Sequence, residues 1–117
     1  MVFREEHQGG PGLVHGGIVG AALDEACGLL ATSYRFPAVT ARFTIRFRKP
    51  VPIKQALEVS ARVTGTRGRR LEIAGELRNV DEVLAESAGT FLHVPLEHFL
   101  ATAEGQAARD AWRQRPA

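Results

Sequence analysis

The sequence predicts an α+β domain in which one antiparallel β-sheet wraps around a single central helix. Two observations carry this. The stretch from His15 to Ala31 is apolar on almost every side, with Ile18, Val19, Leu23, Ala26, Leu29 and Leu30 spread around it and only Asp24 and Glu25 charged. A helix that is hydrophobic all round is a buried one. From Val39 onward the period changes from helical to two, and successive segments alternate apolar and polar residues as half-buried strands do. A sheet curled around the helix lets each bury the apolar face of the other.

Taken in order, residues 1–6 are expected to form a short strand, and the glycines and proline of Gln8-Gly9-Gly10-Pro11-Gly12 to force a loop. The helix follows and is expected to end near Ala31-Thr32, ahead of Pro37, which disfavours helical geometry at the residue before it. In the first strand Val39, Ala41, Phe43, Ile45 and Phe47 make up one face and Thr40, Arg42, Thr44, Arg46 and Arg48 the other, until Lys49-Pro50-Val51-Pro52 stops it. Leu57, Val59, Ala61 and Val63 mark the next strand, Gly65 to Arg69 a turn, and Leu71, Ile73, Gly75 and Leu77 the strand after it. Asn79-Val80-Asp81-Glu82 is a second turn, and Val83 to Val94 the last strand. Consecutive antiparallel strands joined by hairpins are expected. Residues 1–95 then form one domain, and residues 96–117 a tail with loosely helical apolar spacing. A small sheet with a wholly apolar helix leaves surface uncovered, which dimerisation by edge-to-edge extension of the sheet would cover.

The 117-residue chain has the length of a single domain, a net charge of +2 and one cysteine. No apolar run reaches the roughly 18 residues of a membrane span, and the first residues lack the apolar core of a signal peptide. A lone cysteine fits a reducing cytoplasm. With no apolar span no membrane is expected, and the small net charge makes nucleic acid not the first expected partner, although the pI of about 9.2 leaves room for an anionic ligand. His7, His93 and His98 have no metal-ligand spacing, so no metal is expected.

The chemistry centres on Asp24. A carboxylate inside a buried helix is costly unless paired, hydrogen-bonded or functional. Its helical neighbours are Gly17, Gly20, Ala21, Cys27 and Gly28, a stripe of small residues that leaves room for a partner chain, a ligand, or a closely packed strand that hydrogen-bonds the acid. No Ser, Thr, Asp or Asn precedes the first turn, so the N–H groups of Gly16, Gly17 and Ile18 are left to find another acceptor. Free amides at the positive end of a helix suit a carbonyl oxygen that gains negative charge. With a carboxylate further along, the pattern suggests hydrolysis of an acyl bond. His15 acts there through its ring or only through its backbone. Glu25 reads as a salt-bridge or interface residue rather than the base, and Cys27 as a small buried hydrophobe rather than a nucleophile. Arg67, Arg69 and Arg70 cluster at a hairpin, with Arg48, Lys49 and Lys54 near the preceding turn, either as solvated strand ends or as partners for phosphates.

The string from His7 through His15-Gly16-Gly17, followed by Asp24, resembles the hotdog-fold acyl-CoA thioesterases, within them the PaaI-like and THEM4-like branch. The likeness continues through Val39-Thr40-Ala41, Phe47-Arg48-Lys49-Pro50-Val51-Pro52, Gly65 to Arg69 and Ala88-Gly89-Thr90-Phe91, over roughly residues 7–94. It implies a four- to six-stranded sheet around the helix and an obligate homodimer, often paired again into a homotetramer, with active sites at the dimer interface. Asp24 is implied as general base or nucleophile, and the Gly16 N–H beside His15, supplied by the opposite subunit, as the group that polarises the thioester carbonyl. Thr40 is implied to orient the acid or the water. Gln8 stands in the loop where the family often holds the water. Gly17, Arg67, Arg69 and Arg70 are the expected substrate contacts. The substrate is acyl-CoA itself, and no cofactor is expected. The alternative is a non-catalytic acyl-CoA-binding module on the same fold. A hydratase is disfavoured, because that chemistry pairs the Asp with a His five residues on, where this chain has Leu29.

Overall fold

The computed structural model describes residues 1–97; the tail expected over 96–117 therefore lies almost wholly outside the described residues. A single 3-10 turn at Glu5–His7 precedes one long helix, α1 (Gly16–Tyr34). Four strands follow: β1 (Ala38–Phe47), β2 (Glu58–Arg67), β3 (Arg70–Arg78) and β4 (Val83–His93). They form one antiparallel sheet in the order β1-β4-β3-β2, with α1 packed across one face.

Three expectations about connectivity change. Residues 1–6 are not a strand: Val2 makes an isolated bridge to Ala56, Phe3 is buried, and the chain then turns at Glu5–His7, closed by the Arg4 N–H donating to the His7 ring. The helix runs to Tyr34, three residues past Ala31. The strands are not all sequential hairpins. β2 with β3 and β3 with β4 are, but β1 pairs with β4. The link from β1 to β2 carries Pro50 and Pro52 and cannot turn tightly. It crosses the end of the core instead, burying Val51 and Leu57 and accepting the Val14 N–H at the Val51 carbonyl, so that β2 enters at the opposite edge. β1 is thereby left as an edge strand.

The core sits between α1 and the inner face of the sheet. Val19, Leu23, Cys27 and Ala31, spaced four apart, form the buried stripe of the helix. They meet Leu71, Ile73 and Leu77 of β3 and Ala85, Ser87 and Phe91 of β4. The helix packs tightly on β3 at Gly75, where a Cβ would stand 2.6 Å from Ser87 Oγ of the neighbouring strand, 3.0 Å from Cys27 Sγ and 3.3 Å from Leu23. The helix is not buried all round as its composition implies. Four strands cover only one side, and Ala21, Glu25 and Leu29 face outward, Leu29 with 67% of its surface exposed.

The face assignment of β1 also changes. A β-bulge between Thr40 and Arg42 leaves Ala41 without a partner. Thr40 therefore pairs with Phe91, and Phe43, Ile45 and Phe47 with Gly89, Ser87 and Ala85, all on the helix side. Val39 and Ala41, expected in the core, are exposed instead. The extra residue shifts the period-two phase by one, as a bulge must.

Gly75→Ala forces a methyl group against Ser87, Cys27 and Leu23 in a close-packed seat. It should cost about 1–3 kcal/mol of stability in urea unfolding. Gly28→Ala, where nothing lies within 4 Å, should be neutral or stabilising.

Candidate active site

The bulge gives Thr40 its role in the geometry. From the inner face of the edge strand its hydroxyl donates to Asp24 Oδ1 at 3.0 Å. Asp24 is half-buried on the flank of α1 that faces β1, one turn beyond Gly20, whose missing side chain admits the tip of Ile45. Among the described residues no donor reaches the second carboxylate oxygen, which keeps its lone pairs available. Glu25, on the next helix position, is exposed and joins no ion pair among the described residues.

The helix start is capped, contrary to the expectation of a free glycine N-terminus. His15 is the N-cap residue: its ring Nδ1 accepts the Gly17 N–H at 3.0 Å, and its carbonyl accepts the Ile18 N–H at 2.9 Å. A histidine ring thus does the work usually given to Ser, Thr, Asp or Asn. Gly17 has no amide left for a substrate. Gly16 does: its N–H meets no acceptor among the described residues, and the Gly16 backbone lies against the exposed ring of Phe47 at the far end of β1. The loop before it is held by Gln8, whose Oε1 accepts the Gly12 N–H at 2.9 Å, so this side chain is committed to its own turn through its oxygen.

The arginines lie at the other end of the helix. Arg67 and Arg70 face each other across the β2–β3 turn, exposed, with Arg69 beside them. Arg35, which the sequence did not single out, ties the helix end to this turn by donating to the Gly68 carbonyl at 2.8 Å. It has no motif of its own; only its position just past the helix end could have marked it. At 1.5 Å per residue, Arg35 lies about 16 Å along the axis from Asp24.

Cys27 sits one turn beyond Asp24, fully buried, with Sγ 3.8 Å from Ser87 Oγ. Burial pushes its thiol up, the Ser87 contact partly opposes this, and the Asp24 carboxylate adds a smaller upward push. A thiol held protonated and closed off from solvent is a packing residue.

An antiparallel sheet wrapped on one long helix defines the hotdog fold. The family model described as "Thioesterase superfamily" matches residues 11–86, and the chain belongs to that superfamily. It is 31% identical over 90 residues to the mouse (Mus musculus) acyl-coenzyme A thioesterase THEM4, a match covering 77% of this chain and 39% of that protein. The chain thus spans about two fifths of the length of the curated relatives it matches. A crystal structure of a thioesterase superfamily protein superposes with a TM-score of 0.74 at 28% identity, over 79% of this chain and 46% of that one. A Streptococcus mutans protein bound to acetyl CoA shares the fold, with a TM-score of 0.75 at 19% identity over 80% of this chain and 77% of that one.

Two outcomes follow from this geometry. His15→Ala removes the cap and should lower stability by about 0.5–2 kcal/mol in thermal unfolding, and His15→Asn, a good N-cap, should restore most of it. Cys27 should release no chromophore from Ellman's reagent at neutral pH in the native protein, and one equivalent after denaturation.

Proposed function

We propose that this protein is an acyl-CoA thioesterase that works as a homodimer, each active site combining Asp24 of one subunit with Gly16 of the other. The observation that carries this reading is a distance. Gly16 and Asp24 stand eight residues apart on one helix, about 12 Å along its axis. A carbonyl oxygen bound at the Gly16 N–H leaves its carbon far beyond the roughly 3–3.5 Å at which a carboxylate or its water must approach. One chain therefore holds both groups and cannot use them on the same bond.

The edge strand supplies a way to bring them together. Gly16 lies over Phe47 at one end of β1, and Asp24 bonds Thr40 toward the other end. Antiparallel pairing of β1 with its own copy about a two-fold axis near its middle sets the Phe47 end of one strand beside the Thr40 end of the next. It satisfies the unpaired edge and carries each Gly16 toward the partner's Asp24. It also covers the exposed helix flank of Gly17, Ala21, Asp24 and Gly28.

In such a site the thioester carbonyl accepts the Gly16 N–H, with the positive end of α1 behind it, so charge on the oxygen is stabilised as the carbon becomes tetrahedral. Thr40 fixes one oxygen of Asp24, leaving the other to take a proton from water or to attack the acyl carbon directly. Water and the thioester yield a carboxylic acid and the CoA thiol. Arg67, Arg69 and Arg70 are the cations available to the CoA phosphates. The names of the curated relatives support acyl-CoA as substrate, and the single cysteine is compatible with a reducing cytoplasm.

Subunit complementation tests this. Asp24→Asn removes the base. Gly16→Pro removes only the donor, because proline fits the first helical position and His15, with ψ 134, already has the extended backbone that precedes proline. Each variant alone should lose at least about a hundredfold in thiol release. Mixed by unfolding and refolding together, they should recover about a quarter of wild-type activity, since half the dimers are mixed and each restores one of two sites. No recovery would place both groups in one chain. Saturable acyl-CoA binding without turnover by the wild type would make this a binding module instead.

A further inference from the structure

Beside Gly16, on the side away from Asp24, the fold leaves an open recess of about 290 Å³. Val14, Val19 and Val51 form its buried floor, and Leu13 and Phe47, both partly exposed, form its walls. Arg48 and Lys49 reach its rim, but their charges are already engaged, Arg48 with Glu86 at 2.8 Å and Lys49 with Glu82 at 2.7 Å. Nothing in the recess therefore calls for a phosphate.

We infer that this recess takes the acyl group of the substrate and limits it to short and medium chains. The inference rests on the thioesterase reading above and adds what that reading leaves open, the acyl class. A thioester carbonyl has two substituents. The CoA arm carries two amides, a diphosphate and a phosphorylated adenosine, and its charged end must run toward water and cations. The acyl chain is the longest apolar part of the molecule and gains most by leaving water. With the carbonyl oxygen on the Gly16 N–H, the apolar hollow opening at the same residue is the place for it. The sequence conceals the site, because Phe47 reads there as one more core residue of β1, whereas the structure leaves 52% of its surface exposed.

The volume sets the class. At about 290 Å³ the recess falls just below the roughly 300–1,000 Å³ of small-molecule pockets. If a methylene takes about the share of liquid volume that a water does, roughly 30 Å³, it is full at about eight to ten carbons. Each methylene buried before that point should raise kcat/KM about fourfold, and carbons beyond it should add nothing.

The experiment is the kcat/KM profile for saturated acyl-CoAs of increasing length, from acetyl to palmitoyl, read as the length at which the rise stops. Wild type should stop near eight to ten carbons. Leu13→Trp, which fills the recess from its wall, should move the stop at least two carbons shorter, and Phe47→Ala, which opens it, at least two longer. Leu13→Phe serves if the tryptophan variant does not fold. Hydrolysis by the wild type with the same stopping length in both directions of variant would overturn the recess as the acyl site while leaving the thioesterase reading intact. No hydrolysis of any acyl-CoA would overturn both.

Discussion

The seat of α1 on the sheet at Gly75 is the contact from which the rest of the geometry follows. With no side chain at that position, Leu23 and Cys27 descend onto β3 and β4 and close on Ser87 and the Gly75 backbone. Interiors packed to crystal-like density resist sliding and rotation, so this seat fixes how α1 is turned about its axis. That rotation decides which residues of an almost uniformly apolar helix are buried. Val19, Leu23, Cys27 and Ala31 point down, and Asp24, a quarter-turn away from Leu23, is carried to the flank beside β1 rather than into the core. A half-buried acid bonded to Thr40 costs far less than a wholly buried one.

The second determinant is the order of the strands. Because the link from β1 to β2 crosses the end of the core, β1 stays at the edge of the sheet with one row of backbone groups unpaired. The acid lies near one end of this edge and the free Gly16 amide near the other. A long edge strand bordered by small helical residues is a liability in a monomer and an opportunity in a dimer. In the shared-site reading the same feature settles both matters: the pairing that closes the edge also shortens the distance that separates the two groups within one chain. The cap at His15 belongs to the same economy. By taking the Gly17 N–H and, through its carbonyl, the Ile18 N–H, it narrows the helix start to a single donor.

Much of the fold was legible in the sequence because it rests on periodicity. The apolar run from Ile18 to Leu30, the alternation after Val39 and the breaks at Pro50, Gly68 and Asn79 place the helix and all four strands close to where they lie. What failed depended on one residue or on distant partners. Ala41 is small and lies in an unbroken alternation, so nothing local announces the bulge that moves Thr40 to the helix side. The pairing of β1 with β4 is a contact between segments more than forty residues apart, and alternation alone does not choose neighbours. The cap at His15 was missed because imidazole is an uncommon capping group, although its position directly before the glycines was the available signal.

By itself, the sequence determined that this chain would build an antiparallel sheet on one apolar helix and that Asp24 would be the residue to explain. Those are matters of local pattern and of the cost of burying a charge, both readable along a chain. The tertiary structure alone decided that Thr40 meets Asp24, that the His15 ring takes the Gly17 amide, and that Gly16 opens beside an apolar recess. Each of these depends on rotation, register and distance, which exist only once the helix has settled on the sheet.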